Sequence, residues 1–514
     1  MDRIWTKLKE WFGKDRMPRA AVTALVISII VVLNVIAYTL TASLGLYYYA
    51  DDTKDVTVSD APAAAFAEAI AEQCTLKVVF CQSREDVEAS TTGRYVLKTA
   101  EQMKEKLPST FYSVEFQNII VNPNLLADVY GFTEEETKNA QIGRASVIFI
   151  GEDYVGNKQY RVLTDTSTSA GYVDFYDYDS SSSSLNAYIG EEVITAMGLW
   201  VLNDKHQRAL VTTYHGETVT KSLSVALAEA GYTVETVDLR QNVDFSDVGL
   251  LIISNPQTDF EQAAGNADVS ITSEIKRVRE YLENGGVVYL ALDPYSQAEM
   301  PVLHALMAEY GITQQTYETE DNRTVLQIVK DRDNAITTDG FSIVGNYAET
   351  DEKAAKIAEK VKAFNDGSVL MANASVLSLS GNAESLLNAS SFAVAEADGK
   401  TVDRAGEYPL VAYAETEGGS KTGRLIVCGS IYLTASDAMT SDSYANRDFF
   451  FAMFEVLGNK EGGMPYGCKP LMVTDTVLNN LTMKTARIMT AALMMIPAAL
   501  GVLGCVVLVR RKNR

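Results

Sequence analysis

Histidine is scarce: His206, His215 and His304 are the only three in 514 residues. None stands at the spacing of an H-E-x-x-H motif, and no paired C-x-x-C occurs, so the common zinc-holding patterns are missing. No G-x-S-x-G is present to suggest a serine hydrolase. Walker A is missing too. GGSKTGR, residues 418–424, comes nearest, but the motif needs lysine after Gly423 and that residue is Arg424. It also joins two predicted strands rather than a strand and a helix, so a hairpin loop is expected. No metal, no cofactor and no catalytic residue is assigned on these grounds. Five cysteines make no disulfide framework. Cys428 sits in an apolar strand and Cys505 in an apolar run. Cys468 stands alone, and Cys74 and Cys81 bracket TLKVVF, whose ends lie too far apart to bridge.

Positive charge is also short, except at the ends. Residues 1–20 hold six basic and three acidic side chains, and residues 484–514 hold six basic and none acidic, which leaves 32 basic against 64 acidic residues between them. A middle this acidic argues against a nucleic-acid partner, which needs a basic face. Acidic pairs such as Glu191/Glu192 and Asp51/Asp52 are expected to be solvated surface. The basic ends flank two apolar runs, 20–49 and 488–509, each long enough for a membrane helix. The positive-inside rule then places both termini in the cytoplasm and residues 51–487 outside. The expected domains are a tail and first span over 1–50, a domain over 51–205, a second over 206–465, a connector over 466–487, and a second span with its basic tail over 488–514.

Within the first domain, strand-like LKVVF, YSVEFQNIIV, ASVIFIG and KQYRVL alternate with the helical patterns YVLKTAEQMKEKL, NLLADVYG and EEVITAMGLWVL. After an opening helix the order is βαβαββα, that of a thioredoxin-like domain. The redox pair of such a domain would follow the first strand; here that place reads CQSR, 81–84, with no second cysteine. The second domain alternates more cleanly. ALVTT, VETVDL, GLLIIS and VVYLAL are strands, and the stripes Val219, Leu223, Leu227, Ala230 and Ile271, Ile275, Val278, Leu282 mark two helices. This predicts a parallel sheet covered on both faces, a doubly wound Rossmann- or flavodoxin-like domain. Residues 316–405 show one clear helix, DEKAAKIAEKVKAF, and several short strand candidates. YPLVAYAE and RLIVCGS are later strands, and YANRDFFFAMFEVLG is a helix.

Ligands of doubly wound sheets bind at the carboxyl ends of the strands. VTTYHGE, residues 211–217, occupies such a place. A single glycine there does not make G-x-G-x-x-G, so dinucleotide binding is poorly supported. Gly216 suits a tight turn, and Glu217 in a first helical turn would favour the helix dipole. Tyr214, His215, Gly216, Glu217, Asn255, Asp293 and Ser430 are the candidate ligand or partner contacts.

Three stretches then combine: HGE after a strand, REYLENGGVVYLALDP, and GRLIVCGSIYLTASDAMTSDSYANRDFFFAMFEVLGN. Their order resembles the GldG-like family, the gliding-motility-type auxiliary components of ABC transport systems. The matching positions are His215, Gly216 and Glu217; Gly285 and Gly286; Gly429 and Ser430; and Asn446, Asp448 and Phe449. Tyr214 stands where the family commonly has glycine, and Ser430 where aspartate is frequent. The resemblance implies a non-catalytic, membrane-anchored subunit working beside a separate ATPase and permease, with no substrate named. The other readings are an extracytoplasmic ligand- or cell-wall-binding module without a transporter, and an enzyme acting through His215.

Overall fold

A computed structural model describes residues 56–472, apart from 164–171, 179–184, 261–273, 297–298, 365, 417–420, 442, 459 and 461–462. The first sheet has four strands. Its strands are β1 (Thr75–Phe80), β2 (Tyr112–Phe116), β3 (Val147–Glu152) and β4 (Lys158–Leu163), in the order β2-β1-β3-β4. β1 and β2 are parallel, while β3 runs antiparallel to both β1 and β4. Alternation along β1 builds two cores. Leu76, Val78 and Phe80 pack with helices α1 (Gly93–Lys106) and α2 (Gly190–Leu202). Val79 packs on the other face with Leu125, Leu126, Tyr130 and Phe132. Cys81 is buried just past β1, and burial pushes its thiol up to about 12.

The second sheet has nine strands. In chain order they are β5 (Arg208–Thr212), β6 (Thr233–Val237), β7 (Val248–Ser254), β8 (Val287–Ala291), β9 (Ser342–Tyr347), β10 (Val369–Ala372), β11 (Glu384–Asn388), β12 (Pro409–Glu415) and β13 (Arg424–Cys428). They lie in the order β10-β9-β11-β12-β13-β8-β7-β5-β6. The run β6-β5-β7-β8-β13 is parallel throughout. Numbered by appearance it reads 2-1-3-4-5, the flavodoxin-like order, whose switch point lies between β5 and β7. The remaining four strands extend the sheet antiparallel. Val211, Leu250, Ile252 and Tyr289 face helices α3 (Lys221–Glu229), α6 (Glu352–Lys362) and α7 (Asn446–Leu457). Leu210, Leu251, Ile253 and Leu290 face α4 (Glu274–Glu283) and α5 (Pro301–Glu309). Residues 316–405, obscure in sequence, supply β9–β11 and three short pairings. The GGSKTGR segment connects the antiparallel pair β12 and β13.

Four expectations need correction. Among the described residues no helix is long and apolar enough to cross a membrane. The longest, α1, has 14 residues, about 21 Å at 1.5 Å per residue, and is charged along one face. The two-span architecture and the localisation built on it therefore have no spanning helix among those residues to rest on; runs 20–49 and 488–509 lie outside them. What is observed is α/β with large sheets. Second, Glu191 and Glu192 are not solvated: they are 4% and 3% exposed at the start of α2. Third, Glu217 is not in a first helical turn, because α3 begins at Lys221, where the Thr220 hydroxyl caps it by accepting from Leu223 N at 3.1 Å. Fourth, Cys468 is buried against α2, its thiol 3.7 Å from Thr195 Oγ1. The stretch after it, Leu471–Met472, pairs with the strand Leu185–Tyr188.

Candidate functional site

Four strand exits line one edge of the parallel sheet, and every predicted contact residue lies on them. At the switch point the exits of β5 and β7 are joined. The His215 carbonyl accepts from Gln257 N at 2.7 Å and from Thr258 N at 3.1 Å. Gly216 takes φ +75°, and a Cβ there would lie 3.0 Å from Gln257 Cβ. The positive φ favours glycine, and a Cβ would crowd Gln257. Tyr214 also has positive φ, at 99°. Glu217 turns back, its Oε2 accepting from His215 N at 2.7 Å.

His215 itself is buried. Its Nε2 lies 2.9 Å from Glu274 Oε1, at the start of α4, and its Nδ1 lies 3.5 Å from Thr258 Oγ1. The ring packs 4.3 Å from that of Phe260. Burial alone would lower the imidazole pKa. The Glu274 hydrogen bond and charge, with Glu217, outweigh burial and raise it above the ordinary value. The result is a His–Glu pair inside the wall.

Asn255 follows β7 at φ 50°, with its N donating to Ala291 O at 2.8 Å. Its Oδ1 and Glu217 Oε1 are buried with no hydrogen-bond partner among the described residues. Asp293, after β8, accepts from Tyr295 N at 3.0 Å and closes a turn. Ser430, after β13, is fully buried; its hydroxyl donates to Ala372 O and accepts from Tyr432 N at 3.0 Å. So residues 214–217 are bonded to the loop that follows Asn255, while Asp293 and Ser430 stand on the next two strands and, among the described residues, share no hydrogen bond with the His215 corner.

The motif positions farther on serve the fold. Gly286 lies under the Tyr281 ring, where a Cβ would come within 2.5 Å of a ring carbon. Asn446 accepts from Leu370 N and donates to Leu370 O, both at 2.8 Å, tying α7 to β10. Asp448 accepts from Gly467 N at 3.0 Å, and Phe449 is core.

The solvent side of the edge is aromatic. Tyr214 is 55%, Tyr295 69% and Tyr432 39% exposed, each just past a different parallel strand. The Arg240 guanidinium lies over the Tyr214 ring. Asp238 holds that guanidinium at 2.9 and 2.7 Å, and the contact pulls the Asp238 carboxyl down to about 2. Among the described residues no group of three or more His, Cys, Asp or Glu side chains could hold a metal ion.

Sequence reasoning missed Glu274, Phe260 and Thr258, which form the His215 pocket, and Arg447, which ion-pairs with Glu192. The missed signal for the acidic pair was its setting. GEEVITAMGLWVL is apolar on all sides apart from the two glutamates, and such a helix is buried.

No family model matches the chain, and no curated protein matches it. Among solved structures it is similar to the mmIFT52 N-terminal domain, at 16% identity and TM-score 0.33, over 48% of this chain and 96% of that one. It is also similar to cytoplasmic protein STM3548 from Salmonella typhimurium, at 11% identity and TM-score 0.31, over 49% and 99%. A third is PurLQS from Thermotoga maritima, at 15% identity and TM-score 0.29, over 49% and 99%. Likeness of this degree assigns no function.

Proposed function

We propose that the chain is a non-catalytic auxiliary subunit of an ABC-type transport system, which meets a separate permease and ATPase through the carboxyl edge of its parallel sheet. One observation carries this reading: the division of that edge. Two groups suited to acid–base or nucleophilic chemistry, His215 and Ser430, are buried and already bonded. The groups offered to solvent are Tyr214, Tyr295 and Tyr432. Tyrosine is a favoured anchor at protein interfaces. The GldG-like order of motifs, from His215–Gly216–Glu217 to Asn446, Asp448 and Phe449, supports transport as the setting. Energy for transport comes from the partner ATPase in this reading.

A ligand-binding module without a transporter is the second reading. It is favoured by the buried Asn255 Oδ1 and Glu217 Oε1 at the switch point. A photo-crosslinking residue placed in turn at Tyr214, Tyr295 and Tyr432, in cells, separates the two. Adducts with a permease or an ATPase support the subunit reading. Well-folded protein giving no such adduct from any of the three positions removes it.

A further inference from the structure

A cavity of about 100 Å³ lies between the start of α2, the helix α3 and residues 439–447. Its apolar lining is Ile189, Val225, Ala226 and Met439. Glu229, the last residue of α3, also lines it and is only 5% exposed. Its Oε1 has no hydrogen-bond partner among the described residues. The other charged groups facing this space are Asp174, Asp177, Glu192, Lys221 and Arg447. Arg447 is engaged by Glu192. Asp177 accepts from Ser436 Oγ at 2.9 Å and from Thr440 Oγ1 at 3.4 Å. Lys221 and Asp174 are exposed at the rim. Glu229 is therefore a buried carboxyl at a cavity whose one buried cation among the described residues, Arg447, is paired with Glu192 of the same lining.

A buried carboxylate either keeps its proton or takes up a cation. A bare metal ion would find too few ligands, since no group of three or more ligating side chains occurs among the described residues. Three aliphatic side chains beside the carboxyl suit a carbon chain instead. We propose that this cavity binds a small primary ammonium compound, its charged head on Glu229 and its short chain against Val225, Ala226 and Met439. The inference stands apart from the transport reading, because none of Tyr214, Tyr295 and Tyr432 lines the cavity. Burial, with the charge of Asp177 adding, pushes the Glu229 carboxyl up to about 8. Near neutral pH, binding of the ammonium ion would therefore release the Glu229 proton to solvent.

Thermal unfolding of the full-length protein at pH 8.5 tests this with propylammonium chloride as the probe. Sodium, potassium and tetramethylammonium chloride at equal concentration are the comparisons. The expected result is a saturable rise of a few degrees in Tm with propylammonium alone, lost in Glu229→Gln and in Val225→Phe. Val225→Phe keeps the carboxyl and fills the space, so it reports even where Glu229→Gln perturbs folding. Calorimetry at pH 7 in buffers of different ionisation enthalpy should show about one proton released per ligand. Equal shifts from sodium or potassium would make this a metal-cation site and overturn the assignment. Propylammonium acting no differently from sodium chloride, or acting equally on both variants, would also overturn it.

Discussion

Arg447→Met should lower the unfolding free energy by roughly 3–5 kcal/mol, the usual cost of removing one partner from a buried ion pair. Arg447 starts the last helix of the second sheet's core and reaches α2, which packs on the first sheet. There its guanidinium pairs with Glu192 and donates to the Cys468 carbonyl. Burial presses the Arg447 pKa down, opposed by the charge of Asp448 and Glu191. Neighbouring Glu191 is held by Ser59, whose N donates at 3.2 Å and whose hydroxyl also donates. Methionine keeps much of the volume but strands the Glu192 carboxylate. The double change Arg447→Met with Glu192→Gln should recover most of the loss, because the desolvation cost of both charges disappears. Urea denaturation of the three proteins reads this directly. A loss below about 1 kcal/mol, the scale of an exposed pair, would mean the pair does not join the two sheet bodies as described.

His215→Gln should cost roughly 2–3 kcal/mol at pH 6 and clearly less at pH 9, the scale of a hydrogen bond to a charged group. The sign follows from the raised imidazole pKa. Stability from the His–Glu pair is fully present below the unfolded value of about 6.5 and is lost as pH rises through the higher folded value. Glu229 also makes the parent less stable as pH rises. Its folded carboxyl, raised to about 8, holds a proton that the unfolded chain has lost above about 4.5. The difference between variant and parent urea midpoints at each pH therefore isolates His215. A difference constant from pH 5.5 to 9 would mean that the imidazole has the same pKa folded and unfolded, so that Glu274 does not raise it.

Much of the architecture was legible because the strands are short apolar runs and the helices carry period-3.6 stripes. TLKVVF, ALVTT, GLLIIS and VVYLAL are all strands where their composition puts them. The candidate edge followed from strand exits alone, and Gly216 proved to be a glycine for the expected conformational reason. What failed was partnership over distance. Nothing near Glu192 in sequence announces Arg447 as its partner, although the apolar helix around the acidic pair signals its burial. His215 likewise depends on Glu274, which belongs to another helix. Residues 316–405 resisted because their strands run only two to six residues and several pair with strands tens of residues away, as Ile328–Lys330 does with Val394–Ala397. Thr220, not the HGE turn, starts α3, and only cap geometry distinguishes the two. The terminal apolar runs lie outside the described residues, among which the longest helix has 14 residues.

The most direct measurement is affinity purification of the full-length protein from its native cells in mild detergent, with quantitative mass spectrometry of what accompanies it. The subunit reading predicts a permease and an ATPase in fixed ratio to the chain, both reduced at least several-fold when Tyr214, Tyr295 and Tyr432 are replaced together by alanine. Purification of the chain free of both partners, after crosslinking in intact cells, would contradict it.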